Sequence, residues 1–216
     1  MSIKCKICRS STIDIWDQQF AINYYYCSSC QYISMDEGKI ISAQEEREVY
    51  KQHNNTLENE GYVQMFKDFI AGNIVPYVKE GQKALDFGCG PGPVLAHLLR
   101  NKGLDVDIYD PYFFPQKTFL ENKYVLITST EVFEHLKDPL KTTTLLKDHI
   151  FSGGILAIMT QFHPGPQEFK DWWYRRDPTH ISFFTPKTFK VLAEKINVQV
   201  LQFDKKKTSV LKNNLV

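Results

Sequence analysis

The sequence predicts an α/β protein, in which a mostly parallel sheet carries helices on both faces. A small N-terminal unit that contains four cysteines precedes this sheet. Three observations support this fold class. Short apolar runs alternate with helical patterns from residue 81 onward, which is typical of parallel sheets with crossover helices. A glycine-rich turn joins the first of these runs to a helix. Four of the five cysteines form two CxxC pairs near the N-terminus.

Composition narrows the class of protein before any motif is considered. The 216 residues suit one main domain with a modest appendage, and 43% hydrophobic residues suffice for a packed core. Lys and Arg (26) nearly balance Asp and Glu (25), so the general basic field of a nonspecific nucleic-acid binder is missing. No apolar run approaches the ~20 residues of a bilayer span, and no signal-type segment is recognisable. We therefore expect a cytoplasmic protein that does not enter a membrane.

The two CxxC pairs are separated by 18 residues, a spacing typical of four-cysteine zinc sites. Two disulfides would require an oxidising compartment, and a redox motif of the thioredoxin kind needs only one CxxC. Ile13–Trp16 and Phe20–Tyr26 have the pattern of a hairpin, so residues 1–36 are predicted to form a zinc ribbon. Four thiolates leave no open coordination position, and the zinc is expected to be structural. The expected ligands are Cys5, Cys8, Cys27 and Cys30.

Residues 37–80 are predicted to form a helical connector between this ribbon and the main domain, which then occupies residues 81–216. Ser42–Tyr50 is charged and helix-prone. Apolar residues from Tyr62 to Ile74 follow helical spacing up to Pro76. Such an aromatic stripe more often packs in a core than binds a ligand, so we expect these helices to support the main domain.

The main domain begins with a strand, a glycine loop and a helix in that order. Lys83–Phe87 is a short apolar strand, Gly88–Gly92 is the loop, and Pro93–Lys102 is the helix. Glycines let the backbone approach a ligand closely, and a helix N-terminus presents unpaired N–H groups. The next strand, Asp105–Tyr109, ends at Asp110, where a carboxylate can accept hydrogen bonds from both hydroxyls of a ribose.

The strand-to-loop sequence is Asp-x-Gly-x-Gly-x-Gly from Asp86, which resembles motif I of class I S-adenosylmethionine (SAM) methyltransferases. The segment Glu131–Pro139, which follows the apolar run Tyr124–Thr130, resembles the family's "EV-x-EH-x-x-DP" stretch, and ubiquinone-biosynthesis O-methyltransferases are similar there. The resemblance implies a Rossmann-like sheet, SAM as the cofactor and Asp86 near its amino-acid end. The SAM-binding residues that it implies are Asp86, Gly88, Cys89, Gly90, Gly92, Asp110, Pro111, Tyr112, Thr128 and Thr130.

One departure from the family concerns its third strand. Only 13 residues, Pro111–Lys123, separate the second strand from the fourth, too few for two crossover connections. We therefore predict a sheet that lacks this edge strand, with Tyr112 or Phe113 either covering the adenine or packing in the core. The remaining predicted elements are a helix at Leu140–Phe151, a turn at Gly153-Gly154, a strand at Ile155–Thr160, a helix at Pro186–Ile196 and a closing hairpin of Val198–Phe203 with Thr208–Leu211.

Candidate catalytic residues follow the fourth strand. Glu131, Glu134 and His135 stand at i, i+3 and i+4, so one helical turn would aim them at the same space. His180 lies in the aromatic and basic segment Trp172–Pro186, a plausible wall of the acceptor pocket. Three interpretations remain open: a second divalent cation, as in the similar Glu/His set of small-RNA 2′-O-methyltransferases; His135 or His180 as a direct base; or a purely structural role.

These observations favour a SAM-dependent methyltransferase (EC 2.1.1.-) that methylates a small molecule on a hydroxyl group. An RNA 2′-O-methyltransferase is one alternative, although the nucleic-acid signal is not strong. The other is a noncatalytic binding module, in which the ribbon recruits a partner and the methyltransferase domain is degenerate. Arg175 and Arg176 could clamp a phosphate or carboxylate, or could equally be surface charges.

Overall fold

The computed structural model describes residues 3–52 and 55–214. Within these ranges the chain forms ten strands and five α-helices. The strands are β1 Ile13–Asp17, β2 Ile22–Tyr26, β3 Ile33–Met35, β4 Lys83–Phe87, β5 Asp105–Tyr109, β6 Tyr124–Thr130, β7 Ile150–Met159, β8 Ser182–Phe183, β9 Gln199–Phe203 and β10 Thr208–Lys212. The helices are α1 Ala43–Tyr50, α2 Glu60–Asn73, α3 Val94–Arg100, α4 Pro139–Asp148 and α5 Pro186–Ile196.

A six-stranded sheet in the order β5-β4-β6-β7-β10-β9 forms the centre of the molecule. β4 pairs in parallel with β5 and β6, and β6 pairs in parallel with β7. β10 runs antiparallel to both β7 and β9, which makes the closing hairpin. Buried apolar residues pack on both faces, with α5 residues in one cluster and α2 and α3 residues in another. The predicted α/β class and its C-terminal hairpin are therefore confirmed.

The sheet ends at β5, as the short connection to β6 predicts. The chain turns directly after β5 through an isolated bridge between Asp110 and Phe114. It then forms a single 3-10 turn, Thr118–Glu121, before β6 begins. Phe119 of this turn is buried against Phe87 and Tyr109, so an aromatic side chain covers the edge where a further strand would lie.

The predicted turn at Gly153-Gly154 is wrong, because both glycines lie inside β7. The pairing of β6 with β7 shifts its register between Tyr124 and Leu126, so β7 carries extra residues there as a bulge. Gly153 has φ +81°, and a Cβ on Gly154 would lie 2.8 Å from the Val125 carbonyl oxygen. The glycines therefore permit a bulge and a close backbone approach. The helix α4 also ends earlier than predicted, at Asp148 rather than Phe151, because β7 begins at Ile150.

The N-terminal unit has its own four-stranded sheet in the order β1-β2-β3-β8. The predicted hairpin corresponds to β1 and β2, which pair from Ile13 opposite Tyr26 to Asp17 opposite Ile22. Its last strand comes from the other end of the chain, because Ile33 of β3 pairs with Phe183 of β8. The N-terminal unit is thus joined to the main domain by a continuous sheet.

Two helices occupy the predicted connector. Ser42 and Glu45 form a capping box at the start of α1, which explains why this charged segment is helical. α2 buries Phe66, Phe69 and Ile70 against the main sheet's core, as its apolar spacing predicts. None of the helices within residues 3–52 and 55–214 has the length and apolarity that crossing a bilayer requires.

Candidate active site

A cavity of about 490 Å³ lies at the carboxyl ends of β4, β5 and β6. This is the edge at which open α/β sheets bind their ligands. Residues of α1 and α2 line the cavity from one side, and Trp173, Tyr174 and His180 line it from the loop after β7. Of the residues that the sequence assigns to SAM, those that line the cavity are Asp86, Gly88, Cys89, Gly90, Gly92, Asp110, Pro111, Tyr112 and Thr130.

The glycine loop has no space for side chains at two positions. Gly88 has φ +79°, and a Cβ there would lie 2.3 Å from Cγ2 of Val132. A Cβ on Gly92 would lie 1.8 Å from the carbonyl oxygen of Asn55. A side chain at position 88 would therefore displace Val132 and the candidate catalytic residues beside it, and one at position 92 would displace the backbone at Asn55. Without side chains at these two positions, the backbone of the loop itself lines the cavity.

Asp110 is held at the end of β5 by backbone N–H groups. Its Oδ2 accepts a hydrogen bond from the N–H of Gly90 at 3.1 Å. Its Oδ1 accepts from the N–H groups of Tyr112 at 2.8 Å and Phe113 at 3.1 Å. The carboxylate therefore links the glycine loop to the turn after β5, and Oδ2 retains a lone pair for a ligand hydroxyl.

Asp86 lies at the base of the cavity, where it is 2% exposed. Its Oδ1 accepts a hydrogen bond from the Thr128 hydroxyl at 2.9 Å. Burial raises the pKa of Asp86 to about 7, while the Thr128 hydrogen bond opposes this shift. Thr128 is fully buried behind the cavity wall, so this predicted SAM-binding residue contacts Asp86 instead.

A tyrosine that sequence reasoning did not select connects the two candidate glutamates. The hydroxyl of Tyr174 donates to Glu131 Oε2 at 2.9 Å and also hydrogen-bonds Glu134. Burial raises the pKa of both glutamates, and the neighbouring charge of Glu134 raises that of Glu131 further. A single phenol proton cannot satisfy two carboxylates, so we expect the pair to retain a carboxyl proton near neutral pH.

The predicted single helical turn for these glutamates and His135 is not formed. Glu131 has φ +52°, and only Phe133–His135 forms a short 3-10 turn. Glu134 is therefore fully buried, whereas Glu131 and His135 line the cavity. Gly88 packs under Val132 and so shapes this sharp turn.

His135 and His180 lie side by side, with their ring centroids 4.9 Å apart. Nδ1 of His135 lies 3.0 Å from the carbonyl oxygen of Thr179, and Nδ1 of His180 lies 2.7 Å from that of Tyr174. Because a carbonyl oxygen only accepts, each Nδ1 carries the hydrogen, and Nε2 is the basic nitrogen of each neutral ring. Glu134, His135 and His180 each offer one possible metal-ligand atom, and these three atoms lie within 4.8 Å of one another. The structure therefore brings these three predicted residues together.

α1 contributes residues to the cavity that no sequence motif identified. Tyr50 and Tyr112 both hydrogen-bond the carboxylate of Glu46, the first at 2.7 Å. The ring of Tyr50 also contacts His135 edge-on, with centroids 5.2 Å apart. Asn55, which follows α1, and Asp177, in the loop after β7, also line the cavity. Only the helical pattern and the aromatic content of these segments could have suggested their importance.

Arg175 does not face the cavity. Its side chain is buried, with Nε 3.2 Å from Asp17 Oδ2 of β1. Nη2 donates to the Gln19 side chain at 2.9 Å. The guanidinium therefore ties the N-terminal unit to the loop that carries Tyr174, which leaves it unavailable to clamp a ligand.

The two CxxC pairs converge in the N-terminal unit, as their spacing predicts. All four sulfur atoms lie within 4.8 Å of one another. The distance between the Sγ atoms of Cys5 and Cys30 is 3.5 Å, and between those of Cys8 and Cys27 it is 3.4 Å. Sulfur atoms about 2.3 Å from a tetrahedral zinc are ~3.8 Å apart, so this donor set fits zinc closely.

The fold and the cavity together define a class I methyltransferase architecture. The family model described as a methyltransferase domain matches residues 60–203. The chain therefore belongs to this methyltransferase-domain family. A comparison with curated protein sequences finds no match.

Solved structures with the same fold are distant in sequence. Magnesium protoporphyrin IX methyltransferase from Synechocystis PCC 6803, with bound S-adenosylhomocysteine (SAH), is 14% identical with a TM-score of 0.54, over 80% of this chain and 94% of that one. An O-methyltransferase family protein from Burkholderia thailandensis is 12% identical with a TM-score of 0.53, over 82% of this chain and 62% of that one. This chain spans about three fifths of the length of the first matched structures. At such identities the likeness establishes the fold.

Proposed function

We propose that this protein transfers a methyl group from SAM to a hydroxyl group of a small-molecule acceptor. One observation supports this most directly: a single cavity joins the glycine loop and Asp110 on one side to Glu131, His135 and His180 on the other. A cofactor on the first side and an acceptor on the second would share one enclosed space, which is what in-line transfer requires.

The residues around the glycine loop fit SAM. Asp110 would accept a hydrogen bond from the ribose through Oδ2, Asp86 would face the ammonium of the amino-acid end, and the loop backbone would pass beneath the ligand. When bound, SAM supplies a methyl group on a sulfonium that leaves as neutral SAH. The described residues that line the cavity include five carboxylates and no Lys or Arg, which favours this cation. The carboxylates are Glu46, Asp86, Asp110, Glu131 and Asp177.

The same charge distribution bears on the acceptor. A cavity without a lysine or arginine is unsuited to phosphate, which is normally bound by such side chains. We therefore favour a neutral or amine-bearing small molecule over RNA. Trp173, Tyr50 and Tyr112 give the cavity aromatic surface against which such a molecule could pack.

His135 is the proposed base. Its Nδ1–H is directed at the Thr179 carbonyl, so Nε2 would take the proton of the acceptor hydroxyl as the oxygen attacks the methyl carbon. Tyr174 and the two glutamates would hold the neighbouring wall in place. The hydrogen bond from His180 to the Tyr174 carbonyl would hold the His180 ring beside His135.

A divalent cation is the alternative to a direct base. Glu134, His135 and His180 are oxygen and nitrogen donors of the kind that hold such ions. A bound cation would lower the pKa of an acceptor hydroxyl. Loss of turnover in a metal-free buffer, with recovery on adding Mg²⁺ or Mn²⁺ and an unchanged zinc content, would favour the cation over His135 as base.

We also propose that Cys5, Cys8, Cys27 and Cys30 hold a structural zinc, and that residues 1–36, 37–80 and 81–216 are the ribbon, connector and SAM-binding domain. The cytoplasmic location stays a prediction. A noncatalytic module remains the rival, since such a protein would keep the fold without binding SAM.

The first test is calorimetric titration of zinc-loaded protein with SAM and with SAH. We expect binding of both ligands that is weakened at least tenfold in Asp110→Ala, because the ribose hydroxyls lose their acceptor. Asp105→Ala is the matched control, since this aspartate lies at the opposite end of β5 and is exposed. If the wild-type protein bound neither ligand, the proposed methyltransferase activity would be refuted and the noncatalytic binding module would be favoured.

A further inference from the structure

The N-terminal unit is hydrogen-bonded to the segment that carries His180, and through it to the segment that carries His135. The N–H of Met35 in β3 donates to the carbonyl of Ile181, directly after His180, at 2.9 Å. The N–H of Ile181 in turn donates to the carbonyl of Glu134, directly before His135, at 2.8 Å. The His180 segment therefore lies between the N-terminal unit and the His135 segment.

A chain of side-chain hydrogen bonds reinforces this arrangement. The Ser182 hydroxyl lies 2.6 Å from the carbonyl oxygen of Leu136, which can only accept its proton. Tyr32 OH lies 2.6 Å from Ser182 Oγ and must therefore be the donor in that bond. Tyr32 and Ser182 are each about 1% exposed, so water cannot replace either bond. The chain runs from the N-terminal unit to the residue after His135.

A second contact reaches the other side of the histidine pair. The ion pair between Asp17 of β1 and Arg175 is buried on both sides. Arg175 follows Tyr174, whose carbonyl accepts the Nδ1–H of His180. The N-terminal unit thus contacts residues close in sequence to Thr179 and Tyr174, whose carbonyls orient the two imidazoles.

We propose that the N-terminal unit sets the orientation of His135 and His180, with Tyr32 as a positioning residue that acts through Ser182. The importance of these orientations for catalysis rests on the proposed function, but the contacts do not. Tyr32 fixes Ser182 Oγ, Ser182 fixes the Leu136 carbonyl, and the 134–136 and 179–182 segments then meet at the distance that lets His135 Nδ1 donate to Thr179. The unit therefore supports the wall of the cavity that carries His135 and His180, although none of its described residues lines the cavity itself.

The test uses long-range proton–nitrogen NMR spectra of the histidine rings in the full, zinc-loaded chain near pH 8. The variants His135→Gln and His180→Gln assign the two signals. In the wild-type protein we expect both rings as Nδ1–H tautomers. In Tyr32→Phe the tautomer ratio of His135 should change about fivefold or more, the effect of losing one buried hydrogen bond. Tyr25→Phe, on β2 of the same unit, is the matched control.

Three further measurements separate positioning from general damage. Ser182→Ala should change the His135 signal as Tyr32→Phe does, and the double variant should add little, because both substitutions break one chain. Zinc content and SAH affinity should stay near the wild-type values. Wild-type histidine spectra in both Tyr32→Phe and Ser182→Ala, or equal changes in Tyr25→Phe, would overturn the inference. If the wild-type protein did not bind SAH at all, the proposed function would be refuted, but the NMR result could still be interpreted.

Discussion

At the scale of single residues, burial controls the charge state of the cavity. Asp86 is buried beside Thr128, and lost hydration raises its pKa, while the Thr128 hydrogen bond and the charge of Arg100 oppose this shift. An ammonium group on a bound ligand would stabilise the ionised carboxylate further. The protein therefore keeps a buried acid where the proposed cofactor is cationic.

Asp86 should make the folded protein less stable as pH rises. Its folded pKa of about 7 lies above the unfolded value of ~3.9, so between these values the unfolded state alone releases the proton. The free energy of unfolding should then fall by roughly 1 kcal/mol per pH unit across this window. Urea unfolding from pH 4.5 to 7.5 measures it.

Comparison with Asp86→Asn isolates this effect from that of other buried acids such as Glu131. The variant should lose the part of the slope that Asp86 causes, and Asp105→Asn should keep it. Identical slopes in the wild-type protein and Asp86→Asn would contradict the assigned burial effect. SAM affinity should also rise with pH in the wild-type protein, because the ammonium pairs with the ionised carboxylate.

At the scale of elements, α1 closes one side of the cavity through Glu46. The carboxylate of Glu46 accepts from Tyr50 within the helix and from Tyr112 in the turn after β5. This turn also holds Asp110, so the helix and the proposed ribose site are mechanically connected.

Tyr112→Phe should loosen α1 and weaken SAH binding. The substitution removes one hydrogen bond to a carboxylate, which is worth about 1 kcal/mol in a half-exposed position, so we expect a roughly fivefold loss of affinity. Amide exchange over residues 43–50 should become faster. Tyr77→Phe is the control, since its hydroxyl bonds Gln202 far from the cavity. Unchanged exchange in Tyr112→Phe would argue against this contact.

The sequence predicts those parts of the fold and candidate site that depend on local chemistry. The Asp86-to-Gly92 motif, the CxxC pairs and the short Pro111–Lys123 connection each specify a structure within a few residues. Glu46, Tyr174 and the role of Arg175 were missed, because their partners lie far away along the chain. The β7 bulge was missed for a similar reason: Gly153 alone is compatible with a turn or a bulge, and only strand pairing decides between them.

At the scale of the whole molecule, the N-terminal unit and the main domain share one hydrophobic core. Cys5, Cys27 and Cys30 belong to the same apolar cluster as Phe184 and Phe189. A metal that holds the cysteines together would therefore stabilise more than the N-terminal strands.

Removal of zinc should lower the melting temperature of the entire chain. We expect one zinc per protein by mass spectrometry or metal analysis, and a single thermal transition that a strong chelator moves downward as a whole. Cys8→Ser should reproduce the chelated protein, whereas Cys89→Ala should retain zinc because Cys89 lies in the glycine loop. Two separate transitions, of which only one responds to zinc, would mean that the unit folds independently.

The pairing of β3 with β8 also constrains the order of events during synthesis. Ile33 emerges from the ribosome long before its partner Phe183, so the N-terminal sheet cannot be completed until most of the chain has been made. Until then the hydrogen-bonding edge of β3 is open to other extended segments. Early metal capture by the thiols would hold the unit compact through this interval, while the contact that finishes it is among the most distant in the chain and among the last to form.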